Sequence, residues 1–119
     1  TTPRLVITAG EPAGIGPDVL LTALQCAFDA RIAVVTDIDV LKERARLLGV
    51  PCRIHLLAKD HVPQPHKPGV VHVLHTPTAN SVVPGTLDTA NAHHVLPSLN
   101  TAADRIRDDL ADALVTAPV

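Results

Sequence analysis

The sequence predicts an α/β protein, a three-layer sandwich in which helices cover both faces of a mostly parallel β-sheet. Three observations carry this reading. Short apolar runs of strand length recur at residues 4–8, 31–36, 52–57, 70–75 and 111–116. Longer stretches with helical spacing lie between several of them. Near-continuous apolar strands that alternate with helices imply parallel strands buried on both sides by crossover connections.

The elements follow in order. "RLVIT" (Arg4 to Thr8) is a strand that leads into the glycine-rich turn "AGEPAGIG". From Pro17 the spacing of Val19, Leu20, Ala23, Leu24 and Ala27 predicts one helical face, within which Cys26 also falls. Gly16 would cap this helix, Pro17 would take the first helical position where a missing N–H costs nothing, and Asp18 would face the positive helix end. "RIAVVT" (Arg31 to Thr36) is the second strand. Asp37 or Asp39 then caps a helix carrying Leu41, Ala45 and Leu48, which Gly49 closes in a left-handed conformation. "CRIHLL" (Cys52 to Leu57) is the third strand. Pro63, Pro65 and Pro68 mark a surface connection to "VVHVLH" (Val70 to His75), and "TPTANSVVPGT" is a second irregular stretch. A helical segment from about Asp88 to Asp109 contains Pro97, which ends or kinks it nearby. Arg105, Arg107, Asp108 and Asp109 read as its solvated face, and "ADALVT" (Ala111 to Thr116) is the last strand.

Composition bounds the function. At 119 residues the chain builds one modest core and no second independent domain. With 46% hydrophobic residues, 18% charged residues and a formal net charge of −2, it reads as an ordinary globular chain with no electrostatic footprint for nucleic acid. Phe28 is its one aromatic residue, so base-stacking platforms are excluded and the core is aliphatic. No leader is visible and no stretch approaches ~18 consecutive apolar residues, so no membrane partner is expected and the cytoplasm is the default location. Cys26 and Cys52 read as reduced, buried thiols. The chain starts at Thr and stops directly after an apolar run with "TAPV", as a portion of a longer protein would.

Most catalytic signatures are absent. The seven histidines follow no H-E-x-x-H or zinc-finger spacing: His55, His72 and His75 read as partly buried strand residues, His61 and His66 as a solvated loop pair, and His93 and His94 as helical. No metal ligand is assigned among them. Neither Ser81 nor Ser98 sits in G-x-S-x-G. Gly10, Gly14 and Gly16 give G-x-x-x-G-x-G, which is neither the dinucleotide fingerprint nor a phosphate loop. Their context, strand to glycine turn to helix N-terminus, still presents backbone N–H groups and a positive dipole end to an anionic or dinucleotide ligand. Glu11 could accept from a ribose hydroxyl or substrate there. The alternative is a tight connection that needs glycine for its backbone angles only, with Glu11 solvated.

"ITAGEPAGIGPD" near the start and "DALVTAPV" at the end resemble the 4-hydroxythreonine-4-phosphate dehydrogenase family of pyridoxal phosphate (vitamin B6) biosynthesis. That family opens with a G-[DE]-P-A-G-I-G-P-[DE] turn and later carries A-L-V-T-[AG]-P-V. The resemblance implies a fold like that of isocitrate and isopropylmalate dehydrogenases rather than a Rossmann domain. Residues 1–119 would be the N-terminal α/β portion of a longer, two-domain, homodimeric subunit. The implied activity is NAD-dependent oxidation of 4-phosphooxy-L-threonine followed by decarboxylation, assisted by a divalent metal (Zn, Mg or Co). Carried over residue by residue, Glu11, Gly14, Ile15 and Gly16 would border the cofactor, and Thr116, Ala117 and Pro118 would lie next to the substrate. The family's metal-binding histidines and G-H-T motif lie downstream of T-A-P-V, so no catalytic residue is assigned here and this portion alone would be inactive. Two alternatives stand beside this reading: a related dehydrogenase of phosphorylated sugar acids such as phosphothreonate or phosphoerythronate, and a non-catalytic module that binds a phosphorylated ligand.

Overall fold

The computed structural model describes residues 2–79, 81–92 and 94–117. Its elements are β1 (Arg4–Thr8), α1 (Gly16–Ala23), β2 (Arg31–Thr36), α2 (Ile38–Leu48), β3 (Arg53–Leu56), β4 (Val70–His75), α3 (Thr89–Ala92), α4 (Val95–Arg107) and β5 (Ala113–Thr116). The strands form one five-stranded sheet in the order β3-β4-β2-β1-β5, and every pairing is parallel. Leu5 stands opposite Ile32 on one side and Ala113 on the other, while Val73 lies between Val34 and Leu56.

Side chains alternate across a strand, and this sorts the core into two layers. Ile32 and Val34 of β2 and Val71 and Val73 of β4 meet Leu20, Leu21 and Leu24 at α1 and Leu41 and Ala45 of α2. On the opposite face Val6, Ala33, Val35 and Leu74 meet Ala102 of α4 together with Ala111. Helices on both faces of a parallel sheet make the predicted three-layer sandwich. The connection from β3 to β4 is the exception. It carries no helix, and its Pro65 forms an isolated antiparallel bridge with Arg31.

Several local expectations are corrected. α1 begins at Gly16 with Ile15 as its N-cap, and its buried side is Gly16, Pro17, Leu20 and Leu21. Val19, Ala23 and Ala27 are exposed, because the helix ends at Ala23 and its apolar stripe is centred one position away from the one predicted. Cys26 therefore lies beyond the helix and is exposed, and Cys52 is half-buried just before β3; both thiols are free, but neither is buried. Asp37 is the α2 cap, accepting from the Asp39 N–H at 2.8 Å, and Gly49 has φ 68° as expected. Leu48 is exposed, since Val50 and Cys52 supply the apolar contacts after the Gly49 reversal. The long C-terminal helix is two: Pro97 sits in the first turn of α4, where no intrahelical partner is required of its nitrogen, so the break falls before it.

Of the charged residues assigned to a solvated face, Arg105 is structural, whereas Asp109 stays exposed. Arg105 is 2% exposed and donates to the carbonyls of Lys59 at 3.1 Å and His61 at 2.6 Å, which ties the β3–β4 connection to α4. Asp109 lies past the end of α4 at φ 58° and accepts from Arg4 Nη2 at 3.1 Å. Likewise His66 is not a solvated loop residue: its Nε2 lies 3.1 Å from the Leu24 carbonyl and 3.0 Å from that of Cys26. Of the strand histidines only His72 is half-buried, stacked on an exposed His55 with ring centroids 5.4 Å apart; His75 is exposed.

Candidate functional site

Ligands of parallel α/β sheets approach the carboxyl ends of the strands, because helix N-termini and free backbone groups converge there. Here that edge carries three segments: the glycine turn after β1, the end of β5, and the irregular stretch after β4. The turn is internally braced. The Gly14 N–H donates to the Glu11 carbonyl at 3.0 Å, and the Ala13 N–H donates to Glu11 Oε1 at 3.2 Å. One carboxylate oxygen of Glu11 therefore serves the turn itself. Ile15 projects from it with 62% of its surface exposed, and no side chain caps the α1 N-terminus it precedes.

The two segments quoted for the family resemblance touch. The Ala117 N–H donates to the Thr8 carbonyl at 3.0 Å, continuing the β1–β5 ladder in which Thr8 faces Thr116. A Cβ built on Gly16 would overlap the Ala9 carbonyl oxygen and stand 3.0 Å from the Ala117 Cβ. Only glycine lets α1 start this close to both strand ends. Glu11, Gly14, Ile15 and Gly16 thus share one edge with Thr116, which is exposed, and Ala117, which is half-buried. Pro118 lies outside the described residues.

The stretch after β4 joins the same edge. The Gly85 N–H donates to the Ala13 carbonyl at 2.8 Å, and Asp37 Oδ2 accepts from both the N–H and the hydroxyl of Thr78, at 2.8 and 2.9 Å. Burial alone would raise the Asp37 carboxyl, but the bonds from Thr78 and Asp39 outweigh it and hold the group below its ordinary value. Between α2 and this stretch opens a cleft of about 540 Å³, bordered by Asp39, Glu43, Arg44, His75 and Ser81. Behind it, His94 is 6% exposed at the start of α4 and contacts Ser98 Oγ through Nε2 at 3.3 Å. Burial pushes its imidazole down, so it is neutral near pH 7. The sequence pattern does not single out Arg44 or the Asp37–Thr78 clasp, and it places His94 on a helix without showing its burial. The available signal was a charged residue on the apolar side of a helix, as with Arg44 between Leu41 and Ala45.

Among the described residues no group of three or more His, Cys, Asp or Glu side chains is placed to hold a metal. No helix among the described residues is long and apolar enough to cross a membrane.

A wholly parallel sheet with helices on both faces, a braced glycine turn and a helix N-terminus at its carboxyl edge defines an α/β protein of the doubly covered class. The chain belongs to the family described as pyridoxal phosphate biosynthetic protein PdxA, whose model matches residues 29–119. It is 50% identical over 120 residues to a 4-hydroxythreonine-4-phosphate dehydrogenase of Methylococcus capsulatus, covering 98% of this chain and 36% of that protein. It is 45% identical over 119 residues to the enzyme of that name from Thioalkalivibrio sulfidiphilus, covering 100% of this chain and 36% of that protein. The chain thus spans about 36% of the length of these curated relatives. Among solved structures, a 4-hydroxythreonine-4-phosphate dehydrogenase from Burkholderia phymatum superposes with a TM-score of 0.88 at 21% identity, over 99% of this chain and 37% of that one. A terephthalate 1,2-cis-dihydrodiol dehydrogenase from Burkholderia xenovorans shares the fold with a TM-score of 0.64 at 20% identity, over 93% of this chain and 32% of that one.

Proposed function

We propose that this chain is the N-terminal α/β portion of a two-domain, homodimeric cytoplasmic subunit that oxidises and decarboxylates 4-phosphooxy-L-threonine with NAD. The observation that carries the reading is the contact between the two family segments, where Gly16 has no room for a Cβ against the Ala9 carbonyl and Ala117. In this portion Glu11, Gly14, Ile15 and Gly16 border the dinucleotide, whose nicotinamide accepts the hydride. The uncapped α1 N-terminus offers its positive end to the pyrophosphate. Ile15 supplies an exposed apolar contact, and Thr116 and Ala117 line the substrate side of the same edge.

The described residues do not fit a divalent metal, and none of the roles assigned to them runs through one. On this reading Zn, Mg or Co is held by residues in the remaining length of the family's subunit, which also holds the catalytic groups, and the 119-residue chain alone is inactive.

The test is NAD reduction by the full-length subunit with 4-phosphooxy-L-threonine, phosphothreonate and phosphoerythronate in turn, with divalent metal present. The reading predicts that 4-phosphooxy-L-threonine is the preferred substrate. Turnover of only a sugar acid moves the protein to a related dehydrogenase, and turnover of none contradicts the proposal.

A further inference from the structure

Arg44 is a cation where the α2 pattern asks for an apolar residue, three positions after Leu41 and beside Ala45, and it is 2% exposed. Although it borders the cleft, its guanidinium faces the glycine turn. Nη2 donates to the Pro12 carbonyl at 2.7 Å, and Nη1 donates to the Gly14 carbonyl at 2.8 Å and to Asp18 Oδ1 at 3.1 Å. The Ala13 carbonyl accepts from Gly85, that of Glu11 from Gly14, and that of Ile15 from Val19. Every carbonyl from residue 11 to residue 15 is therefore committed inside the protein, two of them to one side chain. A glycine-rich turn left to itself samples many peptide orientations. With its carbonyls committed to partners within the protein, their partial negative charges are withdrawn from the open edge, and an anion meets the positive end of the α1 dipole.

We infer that Arg44 is a positioning residue for the dinucleotide, acting through the turn and touching no part of the ligand. This rests on the proposed function, in which the turn borders the cofactor. A guanidinium is required because its planar fork reaches two carbonyls and a carboxylate together; a lysine ammonium on a flexible stem does not reproduce that geometry.

The experiment uses the full-length subunit with Arg44→Met, Arg44→Ala, Arg44→Lys and Asp18→Asn. Calorimetry gives the Kd for NAD and for 4-phosphooxy-L-threonine, and hydrogen exchange compares residues 9–16 with β2. Arg44→Met and Arg44→Lys are expected to raise the Kd for NAD about tenfold or more, a loss in keeping with misplacing binding groups by a fraction of an ångström. Substrate Kd stays within about twofold. Exchange quickens in residues 9–16 and not in β2, and methylguanidinium added to Arg44→Ala restores part of the NAD affinity. Asp18→Asn, which keeps both carbonyl bonds, has the smallest effect. Unchanged NAD affinity and exchange in Arg44→Lys overturn the inference, as does a parallel loss of both affinities with faster exchange in β2, which marks a general loss of stability. A wild-type subunit that binds no NAD contradicts the proposed function instead; exchange in residues 9–16 then still decides whether Arg44 sets the turn.

Discussion

The face of the sheet beneath α1 and α2 is packed almost wholly with Leu, Ile, Val and Ala, whereas the face beneath α4 buries Thr8, His94, Ser98 and Arg105 beside a smaller aliphatic cluster. Among the described residues Thr8 Oγ1 and Arg105 Nε are buried without a hydrogen-bond partner, and both belong to this second face. Unpaired buried polar atoms weaken a core. We expect the α1/α2 layer, from which Arg44 reaches the glycine turn, to contribute more stability than the α4 layer.

The largest effect is expected in the α1/α2 layer. Leu21 is fully buried against β1 and β2, so Leu21→Ala is expected to destabilise by about 2–5 kcal/mol in equilibrium urea unfolding. A loss well under 1 kcal/mol would show that the α1/α2 layer does not dominate. Arg105→Met comes next. It strands the carbonyls of Lys59 and His61, and a cost of about 1–3 kcal/mol is expected. A variant as stable as wild type would mean that the guanidinium contributes no net stabilisation there.

Thr8→Val keeps the shape of a 2% exposed side chain and removes its unpartnered hydroxyl. It is expected to stabilise by about 1 kcal/mol, opposite in sign to the other two. A fall in Tm would show that the hydroxyl is satisfied in solution. Acid should also act first on the α4 face. Burial lowers the pKa of His94 and of His72 below 6.5, so the unfolded chain takes up protons that the folded chain refuses. Stability is complete above about pH 6.5 and declines as pH falls below it, and His94→Gln should flatten that decline in unfolding midpoints between about pH 7 and 5. The smallest effect is expected from Arg4→Gln. It breaks exposed pairs with Asp109 and Asp112 at the far edge of the sheet, and Tm should move by no more than a few degrees.

The two layers also differ in how far the sequence reveals them. β1, β2 and β4 are near-continuous apolar runs, and the Asp37 cap and Gly49 stop are local signals, so most of the α1/α2 layer is legible in the residues alone. Arg105 is not. Its neighbours Asp104 and Arg107 are charged, and nothing local shows that the carbonyls of Lys59 and His61, far away in the chain, come within reach of its guanidinium. The role of Arg44 is hidden for the same reason. The turn itself is legible as a strand-to-helix connection at the carboxyl edge through its glycines and Pro17. That it meets Ala117 depends on the β1–β5 pairing, which no spacing along the chain encodes.

On the proposed function, the α1/α2 layer presents its glycine turn to the cofactor. A crystal structure of the full-length subunit with NAD bound tests this directly. The account predicts the dinucleotide within contact of Gly14, Ile15 and Gly16, with its pyrophosphate at the start of α1. A dinucleotide bound with no atom near residues 11–16, for instance wholly within the cleft between α2 and the stretch after β4, would contradict it.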